Sequence, residues 1–312
     1  MDRPIRPRYD LIVRLTLIRV IGTIFALAFL FPANSSAQDI VLGILEDNSG
    51  HYAGEPNFRA VRAVFEKIGS DWKPFPSDCR TQDCLSKSDY PSEMTWIISF
   101  DRKNLGQVTT IRPRDYEWYA SVGQQEIVSP GRVPTIGERS EDFADWGGGS
   151  VYRPLVANSQ PYFNDPESWR PVPPAADLAA LLRKQFREKF PKIENCKNPE
   201  ENTPKPWAYH DREIEIGKTY SSRNGWWISP LRMSDYSCDA PSEGPFNYQW
   251  FAISPTREVK FLREGLWLVD AGDFGNDGKT ELLFSVGGYD LGGYELFYDD
   301  FKKHVEFEFH YH

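Results

Sequence analysis

Short apolar stretches separated by turn residues recur along most of this chain, and their spacing predicts its elements. Ile40–Glu46 is a continuous apolar run and reads as a buried strand. Phe58, Val61, Val64, Phe65 and Ile68 recur at helical spacing, which predicts a short helix capped by Asn57 and ended by Gly69. Cys79–Ser92 is polar and reads as a surface loop. Thr95–Asp101, Gln107–Arg112, Tyr116–Val122 and Gln125–Val128 form a meander of four short strands. Ser129–Ser150 has no clear period and reads as a long loop, and Val151–Asn158 as a strand. Leu178, Leu182, Phe186 and Phe190 recur every fourth residue, the stripe of an amphipathic helix that Pro191 stops. Lys192–Pro206 reads as an exposed loop. Glu213–Lys218, Gly225–Leu231, Tyr248–Ser254 and Glu258–Arg263 are four further short strands.

The pattern is sharpest at the end of the chain. Leu266–Asp270, Glu281–Gly287, Gly293–Tyr298 and His304–Tyr311 are consecutive strands joined by tight turns, so residues 266–312 form a four-stranded, blade-like unit. The expected fold is mainly β, a β-propeller-like array of short antiparallel meanders with two helical insertions. An irregular β-sandwich or barrel is the alternative.

The turn inside that unit carries the chain's best candidate chemistry. It runs Asp270-Ala-Gly-Asp-Phe-Gly-Asn-Asp-Gly-Lys-Thr-Glu281, with carboxylates closely spaced, glycines for positive φ and a late acidic residue. That is a composition suited to a hard cation, which is held by oxygen ligands. Asp and Asn side chains also cap such turns by accepting backbone N–H bonds, with no metal. Gly272–Phe284 resembles the FG-GAP/VCBS repeat of integrin-type β-propellers, in which this loop joins the first two strands of a blade and often holds Ca²⁺. The resemblance implies Asp273, Asp277 and Glu281 as side-chain ligands and the Lys279 carbonyl as a backbone ligand. One position departs from the pattern: Gly275, followed by Asn276, stands where the family carries Asn or Asp.

The N-terminus changes where the protein is expected to work. Arg3, Arg6, Arg8, Arg14 and Arg19 precede an apolar run from Val20 to Phe31, and Ser35-Ser36-Ala37 follows. This reads as a signal peptide over residues 1–37 cleaved after Ala37, an uncleaved anchor being the alternative. Residues 38–312 are then one β-rich domain, periplasmic or extracellular, with no membrane span after cleavage. Four cysteines in an exported chain suggest two disulfides, with Cys79–Cys84 and Cys196–Cys238 one of several pairings. The net charge of −9 includes a basic leader, so the remainder is more acidic still, which argues against nucleic acid as a partner.

Of enzymatic signatures the chain carries few. It contains no Gly-x-Ser-x-Gly, no His-Glu-x-x-His, no P-loop and no dinucleotide fingerprint. His310 and His312 share one strand face and form a candidate Zn²⁺ or Cu²⁺ pair or a solvated strand end. No catalytic residue is assigned. Two functions stay open. One is an exported, non-enzymatic binding or scaffolding protein for a protein or carbohydrate ligand, with a degenerate calcium-type loop. The other is a secreted hydrolase acting on carbohydrate, with acids and Trp residues such as Trp226, Trp227, Trp250 and Trp267 lining a cleft.

Overall fold

A computed structural model describes residues 39–47, 59–79, 81–113, 122–136, 153–196, 203–234 and 244–310. The chain divides into two compact units, Met1–Gln38 and Asp39–His312. The first, with the leader read from the sequence, lies outside the described residues. The second is mainly β, with several antiparallel sheets, two α-helices and no closed barrel among the described residues.

The first sheet contains β1 (Ile40–Asp47), β2 (Arg59–Ile68), β3 (Asp71–Pro74), β4 (Glu93–Phe100), β5 (Lys103–Ile111), β6 (Gln124–Glu126) and β7 (Leu155–Asn158). Its order is β3-β2-β1-β7-β4-β5, with β6 on β2. The helix predicted from Asn57 to Gly69 is corrected here: residues 59–68 are strand β2. Ala60 to Phe65 are buried on consecutive positions, against β1 on one edge and against β3 and β6 on the other. A strand covered on both faces shows an apolar run rather than alternation. In a short run, that pattern also satisfies helical spacing.

The second α-helical insertion lies elsewhere, in the segment 79–92 read as a loop. Helix α1 (Gln82–Lys87) starts at Thr81, whose hydroxyl accepts the Cys84 N–H at 3.3 Å. The Cys79–Cys84 disulfide, with Cα atoms 5.5 Å apart, closes around its first turn, and Leu85 and Tyr90 fold back into the core. Cys196 is also disulfide-bonded; Cys238 lies outside the described residues. Maleimide labelling of the denatured, unreduced protein is therefore expected to find no free thiol. Any label taken up would contradict it.

Helix α2 (Ala176–Lys189) matches the predicted stripe. Leu178, Leu182 and Phe186 are buried on Ile214, Leu231, Met233, Phe251 and Ile253. These come from a second sheet built of β8 (Arg170–Pro171), β11 (Ile214–Ile216), β12 (Tyr220–Ser221), β13 (Trp227–Met233), β14 (Gln249–Ile253) and β15 (Val259–Glu264). A small hairpin of β9 (Ile193–Asn195) and β10 (Lys205–Trp207) occupies the segment expected to be loop. Strand β14 is buried along its whole length because both of its faces are covered. Phe251 and Ile253 face α2, whereas Trp250 and Ala252 join the large core shared with the first sheet.

The third sheet is the terminal unit: β16 (Leu266–Gly272), β17 (Glu281–Gly287), β18 (Leu291–Tyr298) and β19 (Lys303–His310), in sequential order. Leu268, Leu282, Phe284, Leu296 and Phe307 put it into the same large core. Of the meander expected between residues 95 and 128, β4, β5 and β6 are present. The predicted strand Tyr116–Val122 lies, but for Val122, outside the described residues.

Candidate functional site

The turn between β16 and β17 is organised by its own carboxylates. Asp273 accepts the backbone N–H of Asp277 at 2.8 Å on one oxygen and that of Gly278 at 3.0 Å on the other. Asp277 Oδ1 accepts the Lys279 N–H at 3.1 Å. Glu281, only 2% exposed, reaches back across the turn, and its Oε2 accepts the N–H groups of Phe274 at 2.7 Å and Gly275 at 3.3 Å. Asn276 and Gly278 have positive φ, 53° and 84°, as a turn reversing this tightly requires. Asp273, Asn276 and Gly278 each satisfy a backbone group or a dihedral angle that most other residues would not.

Neighbouring segments seat the turn. Asn158 of β7 donates to the Phe274 carbonyl at 3.0 Å. The Asp273 N–H donates to Asn164 O at 2.6 Å. Thr280 donates its hydroxyl to Asp165, whose carboxylate also accepts the N–H groups of Glu167, Ser168 and Trp169. Lys279 pairs through its ammonium with Asp299, in the turn between β18 and β19.

The structure brings Asp273, Asp277 and Glu281 together: one oxygen from each lies within 4.8 Å of the others, so these acidic groups could hold a metal ion. A fourth side chain is among them. Lys67, from β2, places its ammonium 2.8 Å from Asp277 Oδ2 and 3.0 Å from the Gly275 carbonyl. Trp72 of β3 donates its indole N–H to Glu281 Oε1 at 3.3 Å, and the same indole lies 5.7 Å from the Lys67 ammonium. Sequence reasoning missed Lys67 and Trp72. Both are distant from the turn along the chain, and one sits on the strand whose spacing imitated a helix.

Electrostatics follow the geometry. Burial, and then the nearby Asp277 charge, push the Glu281 carboxyl up to about 8. Burial also raises Asp273. A calcium ion takes six or more oxygens at 2.3–2.6 Å. Here Asp277 Oδ2 and the Gly275 carbonyl already hold an ammonium, so the side chains as arranged do not fit calcium beside Lys67.

A second cluster lies on the outer face of the terminal sheet. His304 Nδ1 is 2.8 Å from Glu295 and 3.4 Å from Glu306, and Arg263 pairs with Glu295, Glu306 and Glu308. His310 Nδ1 lies 3.0 Å from the Asp290 carbonyl, and its expected companion His312 is outside the described residues. Trp250 is buried and donates to the Leu266 carbonyl at 2.7 Å. Trp226, Trp227 and Trp267 are half-buried, Trp226 packing 5.0 Å from the Phe301 ring.

Among the described residues, two small cavities open between aromatic side chains. One is lined by Lys218, Tyr220, Tyr248, Trp250 and Trp267. The other is a cleft of Glu167, Trp169, Trp226, Tyr298, Asp300 and Phe301 beside Thr280. Its wall includes a turn in which Asp299, Asp300 and Phe301 all have positive φ. No helix among the described residues is long and apolar enough to cross a membrane, and the disulfide suggests a non-reducing compartment. No family model matches this chain, and neither a curated protein nor a solved structure does.

Proposed function

We propose that this is an exported, non-enzymatic binding or scaffolding protein of the periplasm or the extracellular space. In this reading its terminal sheet is a propeller-type blade, and its calcium-type loop serves as a structural joint. The observation that supports it most is the employment of the gathered acids. Asp165, Asp273 and Glu281 accept backbone N–H groups, and Glu46 accepts from Arg62 and Tyr294. A general acid or base must have an oxygen free to meet a substrate proton; these carboxylates are occupied in holding the chain. Both cavities also enclose far less space, about 20 and about 10 Å³, than the roughly 300–1,000 Å³ usual for small-molecule sites.

One observation favours a carbohydrate hydrolase as the second reading. Glu167 and Asp300 share the cleft with Trp169 and Trp226. Burial, the indole of Trp169 and the charge of Asp300 act on Glu167, with a net shift upward, the direction a general acid requires. Assays on chromogenic glycosides and soluble polysaccharides separate the two. No turnover is expected from the wild-type protein. Turnover that Glu167→Gln lowers by about a hundredfold or more would transfer the assignment to the hydrolase.

A further inference from the structure

We propose that the Lys67 ammonium is the resident cation of the turn between β16 and β17, taking the place of a divalent metal ion among Asp273, Asp277 and Glu281. Its head group is bound to Asp277 and to the Gly275 carbonyl, and its side chain is 6% exposed. A charge buried to that degree is held by partners, and one of the partners here, Asp277, is a carboxylate a metal would use.

Gly275 is the second half of the arrangement. It is not among the residues with positive φ, so no backbone conformation calls for glycine there. Space does. A Cβ at this position would lie 2.1 Å from Lys67 Nζ and 2.8 Å from Glu281 Oε1. No Asn or Asp ligand can stand at 275 while the lysine is in place. The missing oxygen ligand and the inserted ammonium are therefore one change, seen from two ends of the chain.

The two occupants exclude each other. A divalent ion bound to Asp277 Oδ2 would lie beside an ammonium sharing that oxygen, and two like charges at such close range repel. Lys67 would have to withdraw first, leaving the face of Trp72. A tethered cation also does something a free one does not. It joins β2 of the first sheet to the terminal sheet whatever the ion concentration outside, together with the bond from Trp72 to Glu281. The joint is built into the chain and does not depend on environmental calcium.

The test uses the whole protein. Wild-type protein is expected to melt at the same temperature in millimolar calcium and in chelator, and to show no stoichiometric heat on calcium titration. Lys67→Ala should melt lower and acquire a rise in Tm with calcium. Lys67→Ala with Gly275→Asp, which opens the space and supplies the absent oxygen, should bind one calcium ion with a dissociation constant of about 10⁻⁴–10⁻³ M. One-to-one calcium binding by the wild type that is lost in Asp277→Ala would overturn the proposal, and this titration needs no variant at position 67 to fold. An unchanged Tm in Lys67→Ala would overturn it too, as would a folded double variant without calcium affinity.

Discussion

Replacing Arg62 with alanine is expected to lower the melting temperature by about 10 °C, the consequence of leaving one buried carboxylate without its cation. Arg62 is 2% exposed and grips Glu46 through two bonds of 2.8 and 2.9 Å, in the forked geometry that guanidinium and carboxylate share. Its Nη1 donates to the Val122 carbonyl, and the guanidinium carbon lies 4.4 Å from the ring centroid of Phe309. Glu46 also accepts from Gln124 and, at 2.7 Å, from the Tyr294 hydroxyl. The pair thus ties β1, β2 and β6 to the terminal sheet. Breaking a buried pair from one side costs about 3–5 kcal/mol, since the surviving charge stays desolvated. Thermal unfolding of Arg62→Ala beside Arg62→Met/Glu46→Gln tests the mechanism, because removing both charges is expected to recover part of the loss. A drop of less than about 3 °C in the alanine variant would show that water reaches Glu46 and that the pair is worth only what a surface pair is worth.

The second large effect concerns pH. Asp270 is 1% exposed, beneath the junction of β16 with the first sheet, where it accepts the N–H groups of Ala271 at 2.9 Å and Asp101 at 3.1 Å. Arg153 is near, yet its guanidinium donates to the carbonyls of Leu268 and Val269 and lies against the Phe100 ring. Burial outweighs all of these and pushes Asp270 up to about 7 from its ordinary 3.8. The unfolded chain releases this proton near pH 4 and the folded chain near pH 7. Between those values the folded state holds more protons, so the group's contribution is complete below pH 4 and is lost as pH rises through 7. The difference amounts to about 4 kcal/mol. Asp270→Asn keeps an oxygen acceptor and removes the charge. Its stability relative to wild type, from denaturant unfolding at a series of pH values, should therefore improve as pH is raised from 4 to 8. Parallel pH curves for the two proteins would refute the assignment.

Both effects arise at contacts between distant parts of the chain, and that marks how far the residue pattern reaches. The stripe Leu178, Leu182, Phe186 was legible because a helix that covers a sheet keeps one solvated face, visible as period. The four strands of the terminal unit were legible because tight turns announce themselves in Gly, Asp and Asn. Strand β2 was not. Its burial on both faces erased the alternation that would have told strand from helix. The helix inside 79–92 was equally hidden, since six residues carry too little period to rise above a polar surrounding and its start depends on one hydroxyl and a disulfide.

The turn after β16 divides along the same line. By itself the sequence determined that Asp273, Asp277 and Glu281 would stand in one tight turn between two strands, because the capping chemistry of Asp and the dihedral freedom of Gly are local properties. It also marked Gly275 as the position where the expected ligand is missing. Only the tertiary structure decided what fills that space. The β1–β2–β3 arrangement carries Lys67 and Trp72 across the fold to the carboxylates. The identity of a counter-charge is a matter of proximity in space, which the order of residues along the chain does not contain.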